Sequence, residues 1–311
     1  MGDDVTDENP PFGLGALPDD PDPRDFGLDR LYEDEGREPT LLDALPTTYV
    51  VPGLSSLPVL NQGSSPECVA YSSSAMKRWQ DRRDQLHYYD FAEHPFFVAI
   101  GGTAAGAQVR WAMDRMLHVG YPLASSAPNP GQHKIAAYYA VPATATALRQ
   151  AIVDFGPVVI STAWFRSWFH PTPAGVLPDP DVEVGGHAIL AVGWSGDMLR
   201  LRNSWGAGWG AGGDCFLPDA YLGRVRTGWK AIDVIERRRL HVRPGFWWAY
   251  TRSSLGWKRT RRWTGGFSAD CTVPVTRLVL GKRRPMSRIL TGAYRGLWVN
   301  AEGNGITVSV A

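Results

Sequence analysis

The sequence predicts an α+β protein, and three observations carry that class. Helical periodicity is concentrated between residues 68 and 155, strand-like runs follow from residue 158, and few helix–strand alternations join the two. From residue 240 onward, short β-like runs alternate with Gly, Pro and basic residues. The chain therefore divides into an acidic extended arm over 1–45, a main domain over 46–236 and a small basic all-β domain over 237–311.

Each element has a local reason. Residues 1–45 hold 14 acids against 3 bases and show no sustained apolar period, which predicts an extended arm with Leu41, Leu42 and Leu45 anchoring its end. After a short extended lead-in, Ser65, Pro66 and Glu67 form a helix start: a cap, a first-position proline and an acid in the first turn. Cys68 then falls inside that turn, where unpaired amides and the helix dipole favour a thiolate. Tyr71, Ala75 and Trp79 form the core stripe of this helix at four-residue spacing. Gly101-Gly102 is either a turn or a place where backbone approaches a ligand closely. Ala107 to His118 is a second helix, and Ala145 to Phe155 a third that Gly156-Pro157 stops. Val158–Ala163, Ala188–Val192, Leu199–Arg202 and Cys215–Leu217 are strands, and five further short runs after residue 245 predict a small barrel.

Charge and composition bound the function. The net charge of +1 conceals 15 Lys and Arg against 2 acids in 237–311, so the two ends are either solvated surfaces of opposite sign, the favoured reading, or an acidic arm that docks on the basic end or on a partner. The three cysteines, Cys68, Cys215 and Cys271, are too few and too odd in number for a disulfide framework. No apolar run reaches the roughly 18 residues of a membrane helix. The acidic, Pro-rich N-terminus is unlike a secretory signal, so the expected location is the cytoplasm or a virion-like assembly. Cys215 and His170 lack ligand-like spacing, and neither metal nor cofactor is expected.

One constellation carries chemistry. His187 enters a strand in GGHAILAVGW, and Asn203 ends the next strand in LRNSWGAGWG, 16 residues later. A tight turn at Ser195-Gly196-Asp197 brings the two side chains together, so that Asn203 accepts the imidazole N–H and fixes the tautomer while the ring faces Cys68. Trp205 shields that bond from water. Gln62, six residues before Cys68, donates its amide to a developing oxyanion beside the Cys68 N–H.

NQG followed by Cys, GHA followed by an apolar strand, and NSWGxxWG resemble three blocks of the papain-like cysteine peptidases, of the prokaryotic and viral kind with a short N-terminal extension. His187 and Asn203 lie 119 and 135 residues after Cys68, close to that family's spacing. PDPRDF at Pro21–Phe26 resembles the start of its prokaryotic members. The resemblance covers residues 20–235 and implies a two-lobed fold, a helical lobe beside a β-barrel lobe, with the appended basic domain loosely similar to SH3-like modules. It implies a Cys68–His187–Asn203 triad with Gln62 as oxyanion donor, and substrate contacts at Gly101, Gly102, Gly186 and Trp205. The sequence departs from the family at Ser65, where a disulfide-forming Cys is usual, at Pro66, at Glu67 and at Val69. A carboxylate at Glu67 opposes thiolate formation unless it points to solvent.

The resulting expectation is a cysteine endopeptidase acting on a peptide or protein substrate. The alternatives are a cell-wall peptide hydrolase, or a papain-fold structural or binding part of a larger assembly such as a phage particle. Cell-wall polymer or an assembly partner would then meet the basic C-terminal domain through its Trp247, Trp248, Trp257 and Trp263. Nucleic-acid binding by Arg237–Arg239, Lys258–Arg262 and Lys282–Arg284 has no specific motif behind it and is disfavoured, as is a membrane.

Overall fold

A computed structural model describes residues 11–85, 89–125 and 133–233, together with seven strands between residues 238 and 310. The chain forms two compact units, one of residues 1–79 and 88–233, the other of residues 80–87 and 234–311. Among the described residues no helix is long and apolar enough to cross a membrane.

The first unit opens with β1 (Ala16–Leu17), α1 (Leu28–Glu35) and β2 (Thr48–Val50), followed by α2 (Cys68–Gln85), α3 (Glu93–Ala99), β3 (Ala107–Gln108) and α4 (Val109–His118). It continues with β4 (Ile135–Ala140), α5 (Ala145–Phe155), β5 (Val158–Phe165), β6 (Glu183–Ser195), β7 (Met198–Arg202), β8 (Asp214–Pro218) and β9 (Val225–Asp233). The helices that line the core do so by period. In α4, Val109, Ala112, Met113 and Met116 are buried, and in α5 Leu148, Ala151, Ile152 and Phe155, each such large side chain stabilising by about 1.5–3 kcal/mol. Thr144 caps α5 by accepting the Ala147 amide at 3.2 Å.

α2 differs from its expected start and stripe. Its first residue is Cys68, with the Tyr71 amide bonded to the Glu67 carbonyl, and the Ser65 hydroxyl donates back to the Gln62 carbonyl rather than capping. Tyr71 and Ala75 are only half-buried, whereas Val69, Ala70, Ser72, Ser73, Met76 and Lys77 are buried, because this helix is enclosed on nearly every side.

The strands of the first unit form one antiparallel sheet in the order β4-β9-β5-β6-β7-β8, with β2 added beside β6. This corrects the expected β-barrel lobe: closing a barrel requires the two end strands to pair, and β4 and β8 do not. Both edges are taken by other chain segments. The Ala140 amide of β4 bonds the Phe26 carbonyl, and β8 pairs through Phe216 with residues 175–177.

In the second unit, β10 (Arg238–Val242), β11 (Trp247–Ser253), β12 (Gly256–Trp263), β13 (Thr272–Gly281), β14 (Arg284–Ile289), β15 (Trp298–Asn300) and β16 (Ile306–Val310) form an antiparallel sheet in the order β12-β11-β15-β14-β13-β10-β16. Its end strands β12 and β16 are unpaired with each other, so the expected SH3-like barrel is also corrected to an open sheet. The side chains of the basic clusters, of the four tryptophans from Trp247 to Trp263 and of Cys271 lie outside the described residues.

Residues 11–45 lie along the first unit. The Asp19 carboxylate accepts from the Arg110 amide, Thr227 and Trp229, and the buried Asp154 of α5 accepts from Tyr32, Arg37 and Thr40. Leu41 and Leu42, expected as anchors, are exposed at 76% and 53%, while Leu45 packs on the core.

Candidate active site

Four elements converge on Cys68. The helix start of α2 supplies the sulfur, which is fully buried and accepts the Ala188 amide of β6 at 3.4 Å. His187 lies one residue earlier on β6, opposite Thr162 of β5, and is also fully buried. The hairpin of β6 and β7 turns at Gly196, whose φ of 58° suits glycine, and returns the chain to Asn203. His187 Nε2 lies 2.8 Å from Asn203 Oδ1. The Ser204 amide also donates to Oδ1, at 2.8 Å, so this oxygen is an acceptor and His187 carries its proton on Nε2. Nδ1 is then the unprotonated nitrogen, and it has no hydrogen-bond partner.

Indole rings wall the pair off from water. Trp205 lies 4.6 Å from the His187 ring and Trp164 4.7 Å from it, while Trp209 and Phe169 pack behind Trp205. Gln62 is held against the same wall. Its amide donates to the Ser204 carbonyl at 2.8 Å, and its Oε1 accepts the Ser204 hydroxyl at 2.6 Å. With Oε1 so engaged, Nε2 is turned outward as a donor, to the Ser65 carbonyl at 2.7 Å and the Gly13 carbonyl at 3.1 Å.

Burial governs the protonation of the pair. It pushes the Cys68 thiol up to about 12, against the opposing pull of the amides of Ala188, Val69, Cys68 and Gly15. It lowers His187 to about 4, with the bond to Asn203 acting in the other direction. In this arrangement both groups are neutral at pH 7. Glu67 does not point to solvent as its neighbour's chemistry would prefer; it is buried, with Oε1 2.7 Å from His94 Nδ1.

His187, Asn203 and Trp205 are in contact, Gly186 precedes His187 on β6, Gln62 bonds Ser204 next to Asn203, and the Cys68 sulfur meets the Ala188 amide next to His187, whereas Gly101 and Gly102 are not among these contacts. Gly101 and Gly102 close the turn after α3, bonding the Val98 and Phe97 carbonyls. Gly106-Ala107, nearby in sequence, lies against residues 15 and 16, and the Gly15 amide bonds the Gly186 carbonyl. Sequence reasoning also missed Ser204 and Trp164. Ser204 had a signal, a hydroxyl next to Asn203, but Trp164 is one aromatic in an apolar strand and had none.

A family model described as papain family cysteine protease matches residues 120–217, a span that contains His187, Asn203 and Trp205 and stops short of Gln62 and Cys68. An uncharacterized peptidase C1-like protein of Acanthamoeba polyphaga mimivirus is 30% identical over 82 residues, 24% of this chain and 26% of its own, so the chain spans about a quarter of that relative. Xylellain, a cysteine protease from Xylella fastidiosa, superposes with a TM-score of 0.59 at 21% identity, covering 74% of this chain and 99% of that one. The digestive procathepsin L2 proteinase of Tenebrio molitor larval midgut gives 0.60 at 19% identity, over 73% and 81%. At these identities the solved structures establish the shared fold.

Proposed function

We propose that this chain, whose residues 120–217 match the papain family cysteine protease model, hydrolyses peptide bonds with Cys68 as nucleophile, His187 as general base and acid, and Asn203 and Gln62 in supporting roles. The observation that carries this reading is the imidazole held by Asn203 at 2.8 Å, one residue before Ala188, whose amide reaches the Cys68 sulfur at 3.4 Å. His187 Nδ1 takes the thiol proton as the sulfur attacks the substrate carbonyl carbon. The carbonyl π electrons move to oxygen, which the Gln62 Nε2–H and the Cys68 N–H stabilise. Collapse breaks the C–N bond, and the imidazolium returns its proton to the leaving amine. Water, deprotonated by the same imidazole, then attacks the thioester, releasing a carboxylic acid and restoring the thiol. Peptides and unfolded proteins are the substrate class of this chemistry.

The test is cleavage of an unstructured peptide library by the full chain, read by mass spectrometry. Cys68→Ser is expected to lower turnover by about 10³-fold or more, since the nucleophile and its base act as a unit. Cleavage that persists unchanged in Cys68→Ser would overturn the assignment.

A further inference from the structure

An irregularity in the pairing of β9, the last strand of the first unit, brings a charge towards the site. Along β5 and β9 the register runs Val159 opposite Trp229, Ile160 opposite Gly228 and Ser161 opposite Thr227, but Thr162 then faces Val225. Arg226 is thus one residue more than β5 can pair. Such a bulge bends its strand and re-aims a side chain. On its other edge β5 pairs with β6, Thr162 opposite His187 and Ala163 opposite Gly186. The bulge therefore falls one strand away from the proposed general base. The Thr162 hydroxyl holds it there by donating to the Arg224 carbonyl at 3.0 Å.

The re-aimed side chain reaches across β5 to the residue before that base. A Cβ built on Gly186 would lie 2.7 Å from Arg226 Nη1, so the guanidinium rests against bare backbone there. The Ala16 carbonyl oxygen lies 2.1 Å from the same point. A main chain passing Gly186 is therefore within a short side chain's reach of the guanidinium. Nη2 donates to Glu183 Oε1 at 2.6 Å, and the two side chains are 29% and 48% exposed. An ion pair this open to water is weak and exchanges for another carboxylate at little cost. Among the described residues no acceptor bonds Nη1. Arg224, two residues earlier, is directed elsewhere, over the Phe165 ring at 5.4 Å.

Resting on the peptidase reading above, we propose that Arg226 selects acidic substrates, taking the carboxylate of an Asp or Glu side chain from a peptide that lies along Gly186. The guanidinium fork holds a carboxylate through two nitrogens, and here one of them is already without an acceptor. Glu183 is the resident counter-ion: it keeps the fork oriented when no acidic residue is bound, and it yields to one that is. Because Gly186 adjoins His187, the residue read by Arg226 stands at one fixed position close to the scissile bond. Glycine at 186 leaves the way from that peptide to the guanidinium open, where any side chain would push Nη1 aside.

The test incubates the full chain with a randomised peptide library and reads the cleavage sites by mass spectrometry, in the wild type, Arg226→Ala, Arg226→Glu and Glu183→Gln. The wild type should favour Asp or Glu over Asn or Gln at one fixed position from the cut by about fivefold, less as salt rises. Arg226→Ala should erase that ratio, Arg226→Glu should invert it towards Lys and Arg, and Glu183→Gln should raise it. A wild type with no acidic position, or an acidic preference that survives Arg226→Ala, would overturn the assignment. A loss of cleavage that is equal for all sequences would do the same, since a merely structural bulge residue would act that way. Should the substitutions at Arg226 unfold the strand, Glu183→Gln decides: a raised ratio supports the proposal and an unchanged one overturns it. Binding separates this proposal from the peptidase reading. Two pools of short fluorescein-labelled random peptides, one containing Asp and Glu and the other Asn and Gln in their place, are titrated against Cys68→Ala and followed by anisotropy. Tighter binding of the acidic pool that Arg226→Ala abolishes, in a chain that cleaves nothing, leaves the acidic-peptide site standing and removes the peptidase. Cleavage without any acidic preference does the reverse, and equal binding of the two pools without cleavage removes both.

Discussion

Two neighbouring stretches of the acidic N-terminal region are held to the same domain by different forces. Residues 19–40 are fastened by carboxylates: Asp19 accepts three donors, and Asp154 accepts the Tyr32 hydroxyl at 2.8 Å, an Arg37 nitrogen at 2.5 Å and both the amide and the hydroxyl of Thr40. Residues 12–17 are held by backbone bonds and one ring stack, in a slot that admits no side chain at two positions. Charge-assisted bonds to a buried carboxylate are strong and costly to break, whereas backbone bonds in a cleft exchange readily for those of another peptide. The difference separates a permanent attachment from a removable one.

The largest effect should come from breaking the permanent part. Asp154→Ala leaves the Tyr32 hydroxyl, Thr40 and the half-exposed Arg37 without their acceptor, at a cost of about 2–3 kcal/mol. The urea midpoint of the first unit should fall accordingly, while the ratio of Cys68 to Cys215 alkylation by iodoacetamide stays at its wild-type value. A rise in Cys68 labelling as large as that caused by Gly15→Val, which sets a side chain against the Pro66 carbonyl, would mean that the two stretches are one device.

The buried pair should respond to pH. His187 is held at about 4 against its ordinary 6.5, so below 6.5 the unfolded chain binds more protons than the folded one. The folded form's advantage from this group is full above pH 6.5 and is lost as pH falls towards 4, by up to about tenfold in the unfolding equilibrium per pH unit. Cys68 acts in the opposite sense, its contribution being full below pH 9 and lost as pH rises towards 12. Hydrogen exchange of the Gly15 and Ala107 amides, corrected for the intrinsic rate and referred to amides inside α5, should show greatest protection between pH 6.5 and 9. Flat protection from pH 4 to 9 would remove burial of the His187–Cys68 pair as a source of that stability.

Which parts of this were legible in the sequence follows from where each cause lies. Cys68, His187, Asn203 and Gln62 stand out because their own neighbours mark them: a helix start, a strand entry and a hairpin return are local patterns. The sheet's openness is not local. It depends on Phe26 reaching the edge of β4 and on residues 175–177 reaching β8, pairings that no periodicity records. Gly101-Gly102 drew notice as a glycine pair, yet the glycine that meets the N-terminal segment is Gly106, through its approach to Gly15. The seating of residues 12–17 was hidden for the same reason. Gly13 and Gly15 resemble any loop glycines until the Ser65 and Pro66 carbonyls beside them are known.

The smallest effect sharpens the comparison most, because it acts on both occupants of one group. The Ser204 hydroxyl holds Gln62 Oε1 at 2.6 Å and so aims Nε2, the donor that the Gly13 carbonyl accepts from and that a substrate oxyanion would use. Ser204→Ala removes one neutral hydrogen bond, a change of about 1 kcal/mol. If residues 12–17 and the reaction use the same donor, two readouts must move in opposite directions: Cys68 alkylation should quicken by about fivefold, and kcat should fall by a similar factor. Ser204→Cys, which retains a weak donor, should lie between. A merely structural role for Ser204 would instead accelerate Cys215 along with Cys68 and leave kcat of the folded fraction unchanged.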